Sequence, residues 1–167
     1  CNYKYSVFVK KYNIKYVASS NKSNKGSTYK RCTGPSCPTY IWPLDASSVY
    51  VTDPFGNRDA PVEGASSAHN GIDIGANYGG NVYAIADGTV VFAAYDGSAG
   101  NNVVIQSEVS TGETMLFSFM HNSQILVSVG DKVKQGDVIA LAGCTGSCNG
   151  THCHLRVRDA NTRISYN

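Results

Sequence analysis

The chain has 167 residues and a formal net charge of +2, and its length is sufficient for one globular domain with its own hydrophobic core. Its uncharged apolar runs, such as VIALAG at 138–143, are far too short to cross a bilayer, so we expect no transmembrane helix. Six cysteines in a chain of this size favour an oxidising, extracytoplasmic location and permit three disulfides.

The charge is divided unevenly along the chain. Residues 1–44 contain eight Lys and Arg and no acidic residue, whereas the rest contains six Lys and Arg and all twelve acidic residues. This split predicts a basic N-terminal segment over 1–40 and one domain over 41–167. Because the sequence starts at Cys1 without a charged-then-apolar leader, we expect a processed or excised piece of a longer protein.

The basic segment combines its lysines with six of the eleven tyrosines. Residues 3–18 alternate like two short strands, residues 19–28 have the composition of a linker, and Cys32 and Cys37 suit a local disulfide turn. Aromatic side chains among lysines can bind polyanions, whether nucleic acid or an anionic wall polymer. The interpretation we favour is plainer: a solvated strand pair, or the remainder of an upstream domain. We expect no nucleic-acid partner.

From Trp42 onward, short β-rich runs are separated by Gly, Asn and Asp, and no stretch keeps a helical period for three turns. The pattern predicts an all-β domain, either a barrel or a sandwich. The run VGDKVKQGDVIALAG (129–143) predicts a tight hairpin with turns at its Gly-Asp pairs. The other predicted strands are VYVT (49–52), VYAI (82–85), TVVFAAY (89–95), NVVIQS (102–107), TMLFSFMH (114–121) and HCHLRV (152–157).

Two clusters contain side chains that can bind a metal or take part in catalysis. They are AHNGIDIGA (68–76) and GCTGSCNGTHCHLRV (143–157). In a strand, His152 and His154 project to one face and Cys153 to the other. His69 precedes a strand in which Asp73 faces away from the core, so these two side chains can converge on one cation. With one of the paired histidines they form a two-histidine, one-carboxylate set, which leaves the fourth position of a zinc ion for water.

A structural zinc knot is the alternative interpretation of residues 143–157, with Cys144, Cys148 and the two histidines as ligands. Its spacing departs from that of zinc fingers, and it leaves the His and Asp of the first cluster unexplained. We favour disulfide pairing among Cys144, Cys148 and Cys153, with Cys144–Cys148 as the preferred pair. Cys1 has no evident partner.

Several stretches, taken in order, resemble the lysostaphin/LytM-type zinc endopeptidases, which cut peptide cross-links of bacterial peptidoglycan. The resemblance runs from about Trp42 to the C-terminus, and it implies a compact, mostly antiparallel β domain with a groove over the sheet. The stretches are IWPL, VTDPFGNR, HNGIDIGANYGGNVYAIADGTVV, GNNVVIQ, SFMHNSQILVSVGDKVKQGDVIALAGCTG and GTHCHLRVR.

The resemblance implies that His69, Asp73 and His154 bind Zn²⁺ and that His121 and His152 are catalytic. These two would orient or deprotonate the attacking water and stabilise the tetrahedral intermediate. The implied substrates are the peptide stems and bridges of peptidoglycan, and the implied location is outside the cytoplasm: secreted, associated with the cell wall, or in a phage virion. The alternative is a non-catalytic peptidoglycan-binding or scaffold module that retains the metal site.

The sequence departs from the family pattern at several positions. Phe119 stands two residues before His121, where the family commonly has Tyr, so a hydroxyl is missing, and Asn122 stands where Leu is common. Cys153 replaces the usual Leu between the paired histidines, and Cys144 and Cys148 fall where small Ser or Thr residues are typical. These cysteines predict an additional disulfide that constrains the loop before the strand with the paired histidines.

Overall fold

A computed structural model describes residues 40–45, 50–60, 63, 66–109 and 112–166. Within them the chain forms β-strands and one short 3-10 turn at Gly97–Ala99, with no α-helix, which confirms the all-β prediction. No helix of this part of the chain could span a membrane. The strands are β1 (Val51–Asp53), β2 (Gly56–Asn57), β3 (Ala68–His69), β4 (Ile72–Gly75), β5 (Asn81–Tyr83), β6 (Gly88–Tyr95), β7 (Asn101–Glu108), β8 (Thr114–Asn122), β9 (Gln124–Ile125), β10 (Lys132–Val133), β11 (Val138–Leu141), β12 (His152–Asp159) and β13 (Ser165–Tyr166).

The features predicted for the basic segment lie outside the described residues: the two strands, the linker, and the turn at Cys32 and Cys37. The described chain begins at Tyr40, and Tyr40, Ile41 and Leu44 are already buried in the core. The boundary near residue 40 stays a prediction.

The strands form three antiparallel sheets. The largest has the order β1-β4-β12-β8-β7-β6-β10, with β13 also paired to β12. A second sheet has the order β5-β11-β9, and β2 pairs with β3. Because β12 lies between β4 and β8, this order brings the three histidine-containing motifs together although they are far apart in sequence.

The large sheet has one face in the core and one face toward an open groove. On β12, Cys153, Leu155 and Val157 are buried in the apolar cluster, and Phe117 and Phe119 of β8 lie opposite them. Side chains of β5 and β11 complete this cluster, so both larger sheets contribute to one core. The alternate residues of β12 therefore face the groove, as strand periodicity requires.

The predicted hairpin at 129–143 is wrong in its pairing. β10 pairs with β6, whereas β11 pairs with β5 and β9, so the two arms belong to different sheets. The turns themselves lie where the Gly-Asp pairs indicated them. Gly130 and Gly136 have positive φ, and the carboxylates of Asp131 and Asp137 each accept a hydrogen bond from a backbone amide three residues earlier. Local turn chemistry fixes a reversal of the chain, but it does not select the strand that each arm joins.

Candidate metal centre

His69, Asp73 and His154 meet at the edge of the groove. Asp73 on β4 and His154 on β12 are directly opposed partners, and His69 ends β3 just before β4. Nδ1 of His154 lies 2.8 Å from Oδ1 of Asp73 and 3.0 Å from Nε2 of His69, and the latter atom lies 3.2 Å from the same carboxylate oxygen. All three side chains are buried. Two imidazole nitrogens and one carboxylate oxygen therefore converge on one point.

This arrangement fits a divalent cation. Zinc–ligand bonds of about 2.0–2.2 Å place the ligand atoms of a tetrahedron roughly 3.3 Å apart, close to the separations found here. Nδ1 of His69 donates a hydrogen bond to the carbonyl of Pro54 at 2.7 Å, so its Nε2 presents a lone pair to the cluster. That lone pair and the carboxylate of Asp73 both point at Nδ1 of His154, and one cation would satisfy all three atoms.

Asp73 is held in its ionised form. Burial opposes the charge, but hydrogen bonds with His154 and His69 outweigh it, so the pKa of Asp73 lies far below its usual value. Its second oxygen, Oδ2, accepts a hydrogen bond from the guanidinium of Arg58 at 3.2 Å, and the same guanidinium nitrogen contacts Asp53. Arg58 therefore orients the carboxylate from the side opposite the histidines.

His121 and His152 form a second pair beside the cluster, with ring centroids 4.7 Å apart. Nδ1 of His121 donates to the carbonyl of Thr145 at 2.8 Å, and Nδ1 of His152 donates to the carbonyl of Gly150 at 2.7 Å. Each ring thus keeps Nε2 for other partners, and Nε2 of His152 lies 3.6 Å from Oδ1 of Asp73. Burial lowers the pKa of His121 to about 4, although the Thr145 carbonyl opposes this effect. At neutral pH this imidazole is uncharged and can accept a proton.

His121 reaches the groove through an unusual backbone conformation. Strict alternation from Phe119, which is fully buried in the core, would turn His121 toward the core as well. Its φ of 64° instead places it in the left-handed region, so that Met120 and His121 both line the groove. The side-chain amide of Asn122 donates to the carbonyl of Phe119 at 2.7 Å and closes this bend. Because the side chain of Phe119 lies in the core, a tyrosine at this position would place its hydroxyl in the core rather than in the groove.

Cys144 and Cys148 form a disulfide with a Cα–Cα distance of 5.3 Å, which confirms the preferred pair. The zinc-knot interpretation is wrong because these sulfurs are bonded to each other. Cys153 is free and fully buried, and burial raises the pKa of its thiol to about 12. Cys153 is thus a core residue on the face of β12 opposite the histidines.

The cavity over the cluster has a volume of about 300 Å³ and is open to solvent. His69, His121 and His154 line it together with Arg58 and Arg156. A peptide carbonyl could therefore approach the cluster and His121 from the same side.

Sequence reasoning missed several residues that shape the site. Arg58 lies in the stretch VTDPFGNR, but nothing in its spacing from Asp73 indicated a contact. Gly71 approaches β12 so closely that a Cβ there would lie 2.5 Å from both Nε2 of His154 and the carbonyl of Leu155. The carbonyls that orient His121 and His152 carry no sequence signal at all, because every residue has a carbonyl.

Residues 67–166 match the model of Peptidase family M23. The chain belongs to this family. The resemblance to lysostaphin/LytM-type peptidases is thereby confirmed.

Known relatives and solved structures agree with this assignment. The chain is 42% identical over 116 residues to the peptidoglycan DD-endopeptidase ShyA of Vibrio cholerae, which covers 70% of the chain and 26% of ShyA. A zinc-containing peptidase from Vibrio cholerae has a TM-score of 0.64 and 34% identity, over 74% of this chain and 37% of that one. The catalytic domain of lysostaphin from Staphylococcus simulans has a TM-score of 0.62 and 26% identity, over 72% of this chain and 90% of that one. The chain spans about a quarter of the length of the curated relatives it matches.

Proposed function

We propose that this chain is a zinc-dependent endopeptidase that hydrolyses peptide cross-links of bacterial cell-wall peptidoglycan. The observation that carries the proposal is the convergence of His69, Asp73 and His154 beside a second histidine pair, in a chain of family M23. A scaffold that only binds the wall needs neither the open cavity beside the cluster nor two further imidazoles with their Nδ1 atoms already engaged.

We assign His69, Asp73 and His154 as the zinc ligands. When bound, zinc supplies a Lewis acid for the peptide carbonyl and lowers the pKa of water toward about 7. Three protein ligands leave room for water and substrate, as in catalytic rather than structural zinc sites. Arg58 and the carbonyl of Pro54 keep two of the ligands in the required orientation.

We assign proton transfer to His121 and His152. Because Nδ1 of each ring donates to a backbone carbonyl, Nε2 is the atom that accepts a proton from water and later returns it to the leaving amine. In their protonated forms the same Nε2–H groups can stabilise the oxyanion of the tetrahedral intermediate. Two neighbouring imidazoles allow one to act as base while the other donates a hydrogen bond.

We infer the substrate and the location from the same family evidence. ShyA is a peptidoglycan DD-endopeptidase, so we expect the cross-links that involve D-amino acids to be cut. Peptidoglycan lies outside the cytoplasm, and the Cys144–Cys148 disulfide is in keeping with an oxidising compartment. Binding of an anionic wall polymer by the segment 1–40 stays a prediction.

The direct test is incubation of the protein with purified peptidoglycan, with and without a chelator, followed by mass spectrometry of the released muropeptides. Walls with and without glycine bridges should both be used, because they distinguish the bond that is cut. We expect new free amino groups, loss of the release with chelator, and recovery on adding Zn²⁺. Absence of chelator-sensitive release from every wall type would contradict the proposal.

The variant His152→Ala separates the proposal from the scaffold alternative. We expect it to bind peptidoglycan in a pull-down as the wild type does, but to release no muropeptides. If both proteins bind and neither hydrolyses, the chain is a wall-binding module that retains its metal site.

A further inference from the structure

The loop between β11 and β12 contacts both imidazoles to which we assign proton transfer. It is closed on itself by the Cys144–Cys148 disulfide, and the bridge between Gly143 and His152 ties its ends together. The carbonyl of Thr145 accepts from His121, and the carbonyl of Gly150 accepts from His152. One short loop therefore sets the ring orientation and the tautomer of two side chains that come from different strands.

Although Thr145 lies in a loop, its hydroxyl and its backbone amide hold it in place through hydrogen bonds to three other residues. Its hydroxyl accepts a hydrogen bond from the amide of Asn101 at 2.9 Å and donates one to the carbonyl of Asn122 at 2.8 Å. Its own amide donates to the carbonyl of His121 at 3.2 Å. Thr145 and His121 are thus joined twice, once through the two backbones and once through the imidazole.

This double contact matters because His121 has a left-handed backbone, which is unfavourable for a residue with a side chain. Such a conformation persists only where its surroundings enforce it. Without Thr145 in place, the imidazole would lose the acceptor for Nδ1 and one of the contacts that hold its backbone in the bend. Its Nε2 would then no longer be directed at a fixed point in the groove.

The disulfide supports the other end of the same loop. The amide of Gly150 contacts Sγ of Cys144 at 3.2 Å, and Sγ of Cys148 lies 3.7 Å from Nδ1 of His152. The bonded sulfurs therefore lie against Gly150, whose carbonyl accepts a hydrogen bond from His152, and against the imidazole ring of His152. Reduced cysteines could rotate away, and the carbonyl of Gly150 would be less constrained.

We propose that Thr145 is a positioning residue for His121 and that the Cys144–Cys148 disulfide holds the loop from which Thr145 and Gly150 orient both imidazoles. This inference rests on the proposed function for the catalytic role of the histidines. The hydrogen bonds on which it depends can be tested without any activity.

The first test compares Thr145→Val with Thr145→Ser in the full, zinc-loaded chain. Valine keeps the shape of threonine and removes the hydroxyl, whereas serine keeps the hydroxyl. We expect Thr145→Val to lower kcat on a soluble cross-linked muropeptide by about 10- to 100-fold, with KM and zinc content unchanged. Thr145→Ser should stay within about twofold of the wild type. If Thr145→Val does not fold, Thr145→Ala removes the same hydroxyl without filling its space.

Ser123→Ala is the matched control. Its hydroxyl donates to the carbonyls of Leu141 and Ala142 in the same corner of the fold, but it contacts neither imidazole. We expect a decrease in Tm without a change in kcat. Equal kcat values for Thr145→Val and Thr145→Ser, at equal zinc content, would overturn the proposal for Thr145.

A second measurement separates this inference from the proposed function. Nitrogen-15 NMR of the imidazoles should show His121 with its proton on Nδ1 in the wild type and in Thr145→Ser, and a mixture of tautomers or ring orientations in Thr145→Val. This result is expected even if the wild type cuts no peptidoglycan. An identical His121 signal in all three proteins would overturn the positioning role whatever the activity.

The disulfide is tested by the double variant Cys144→Ser with Cys148→Ser. We expect lower kcat with KM and zinc content unchanged, and a broadened or shifted His152 signal in the same NMR spectrum. Wild-type kcat together with a wild-type His152 signal would remove the disulfide from the proposal.

Discussion

Arg58 contacts the oxygen of Asp73 that faces away from the histidines, and its guanidinium also contacts Asp53. In Arg58→Gln, the buried carboxylate of Asp73 would lose its charged partner, and the nearby Asp53 would no longer be neutralised. Because groups that orient a metal ligand typically change affinity by about 10- to 100-fold, we expect a loss of zinc affinity in that range. Competition with a chromophoric chelator measures it.

Lys134→Gln is the control for removal of a positive charge. Lys134 forms an ion pair with Asp87 at 2.9 Å, but both side chains are more than half exposed. Exposed pairs of this kind contribute little, so zinc affinity should not change. Affinity of Arg58→Gln within twofold of that of the wild type would show that Arg58 does not support the ligand.

The depressed pKa of His121 predicts a loss of stability in acid. As the pH falls below about 6.5, the unfolded chain takes up a proton that the folded protein, with a pKa of about 4, does not. The free energy of unfolding therefore falls between these two values, by about 2 kcal/mol at pH 5 relative to pH 7.5 for this one group.

Urea titrations of the metal-free protein at pH 5 and pH 7.5 test this value. The difference between the two pH values should be about 2 kcal/mol larger in the wild type than in His121→Asn, which cannot titrate. The comparison with the variant isolates the contribution of His121. Identical pH dependence of the two proteins would contradict the assignment.

At the scale of elements, the close approach of β4 and β12 is what brings Asp73 and His154 together. Gly71 permits this approach, because a Cβ at that position would collide with the imidazole of His154 and with the backbone of Leu155. We expect Gly71→Ala to destabilise the protein by about 2 kcal/mol and to weaken zinc binding at least about tenfold. Thermal unfolding and zinc titration measure both effects.

Gly75→Ala, at the far end of β4 from Gly71, is the matched control. The atoms nearest to a Cβ there belong to the ring of Tyr50, whose side chain is 63% exposed and can move aside. We expect changes within about 0.5 kcal/mol and unaltered zinc affinity. If both alanine variants behave alike, the spacing of β4 and β12 at Gly71 is not a condition for the site.

The element that sequence predicts best is β12. Its alternation of His152, Cys153, His154 and Leu155 gives the correct face to every side chain, because a strand has a period of two residues and one of its faces is buried. The same rule fails on β8 at His121. A left-handed residue interrupts the alternation there, and the contacts that enforce it come from Asn122 and from Thr145 on a remote loop.

The partners of the strands were harder to predict from the sequence than the positions of the strands. The runs at 89–95, 102–107 and 114–121 coincide closely with β6, β7 and β8. The arms of the expected hairpin at 129–143, however, join different sheets, since the choice of partner depends on packing across the whole domain. Sequence patterns describe one strand at a time and contain little information on such choices.

At the scale of the whole molecule, the site joins residues 85 positions apart in sequence. Composition and periodicity could not have chosen His154 over His152 as the ligand, and the resemblance to known peptidases supplied that choice. In the structure, Nδ1 of His154 faces the cluster together with His69 and Asp73. The resemblance thus supplied the residues of the candidate site, while the contacts that orient them became visible only in three dimensions.

Because the ligands that we propose lie on β3, β4 and β12, zinc binding should stabilise the fold as a whole. An ion present at a thousand times its Kd adds about 4 kcal/mol to the free energy of unfolding. We expect the wild type and His121→Asn to show an increase in Tm on adding Zn²⁺, and His154→Ala to show none. A full increase in His154→Ala would place the stabilising ion elsewhere.

The most direct test of the central claim, that His69, Asp73 and His154 share one ion, is zinc K-edge X-ray absorption spectroscopy of the zinc-loaded chain. We expect one zinc per chain with two imidazole nitrogens and oxygen ligands at about 2.0–2.2 Å, and loss of this signature in His154→Ala. A sulfur shell near about 2.3 Å, or a spectrum unchanged in His154→Ala, would contradict it.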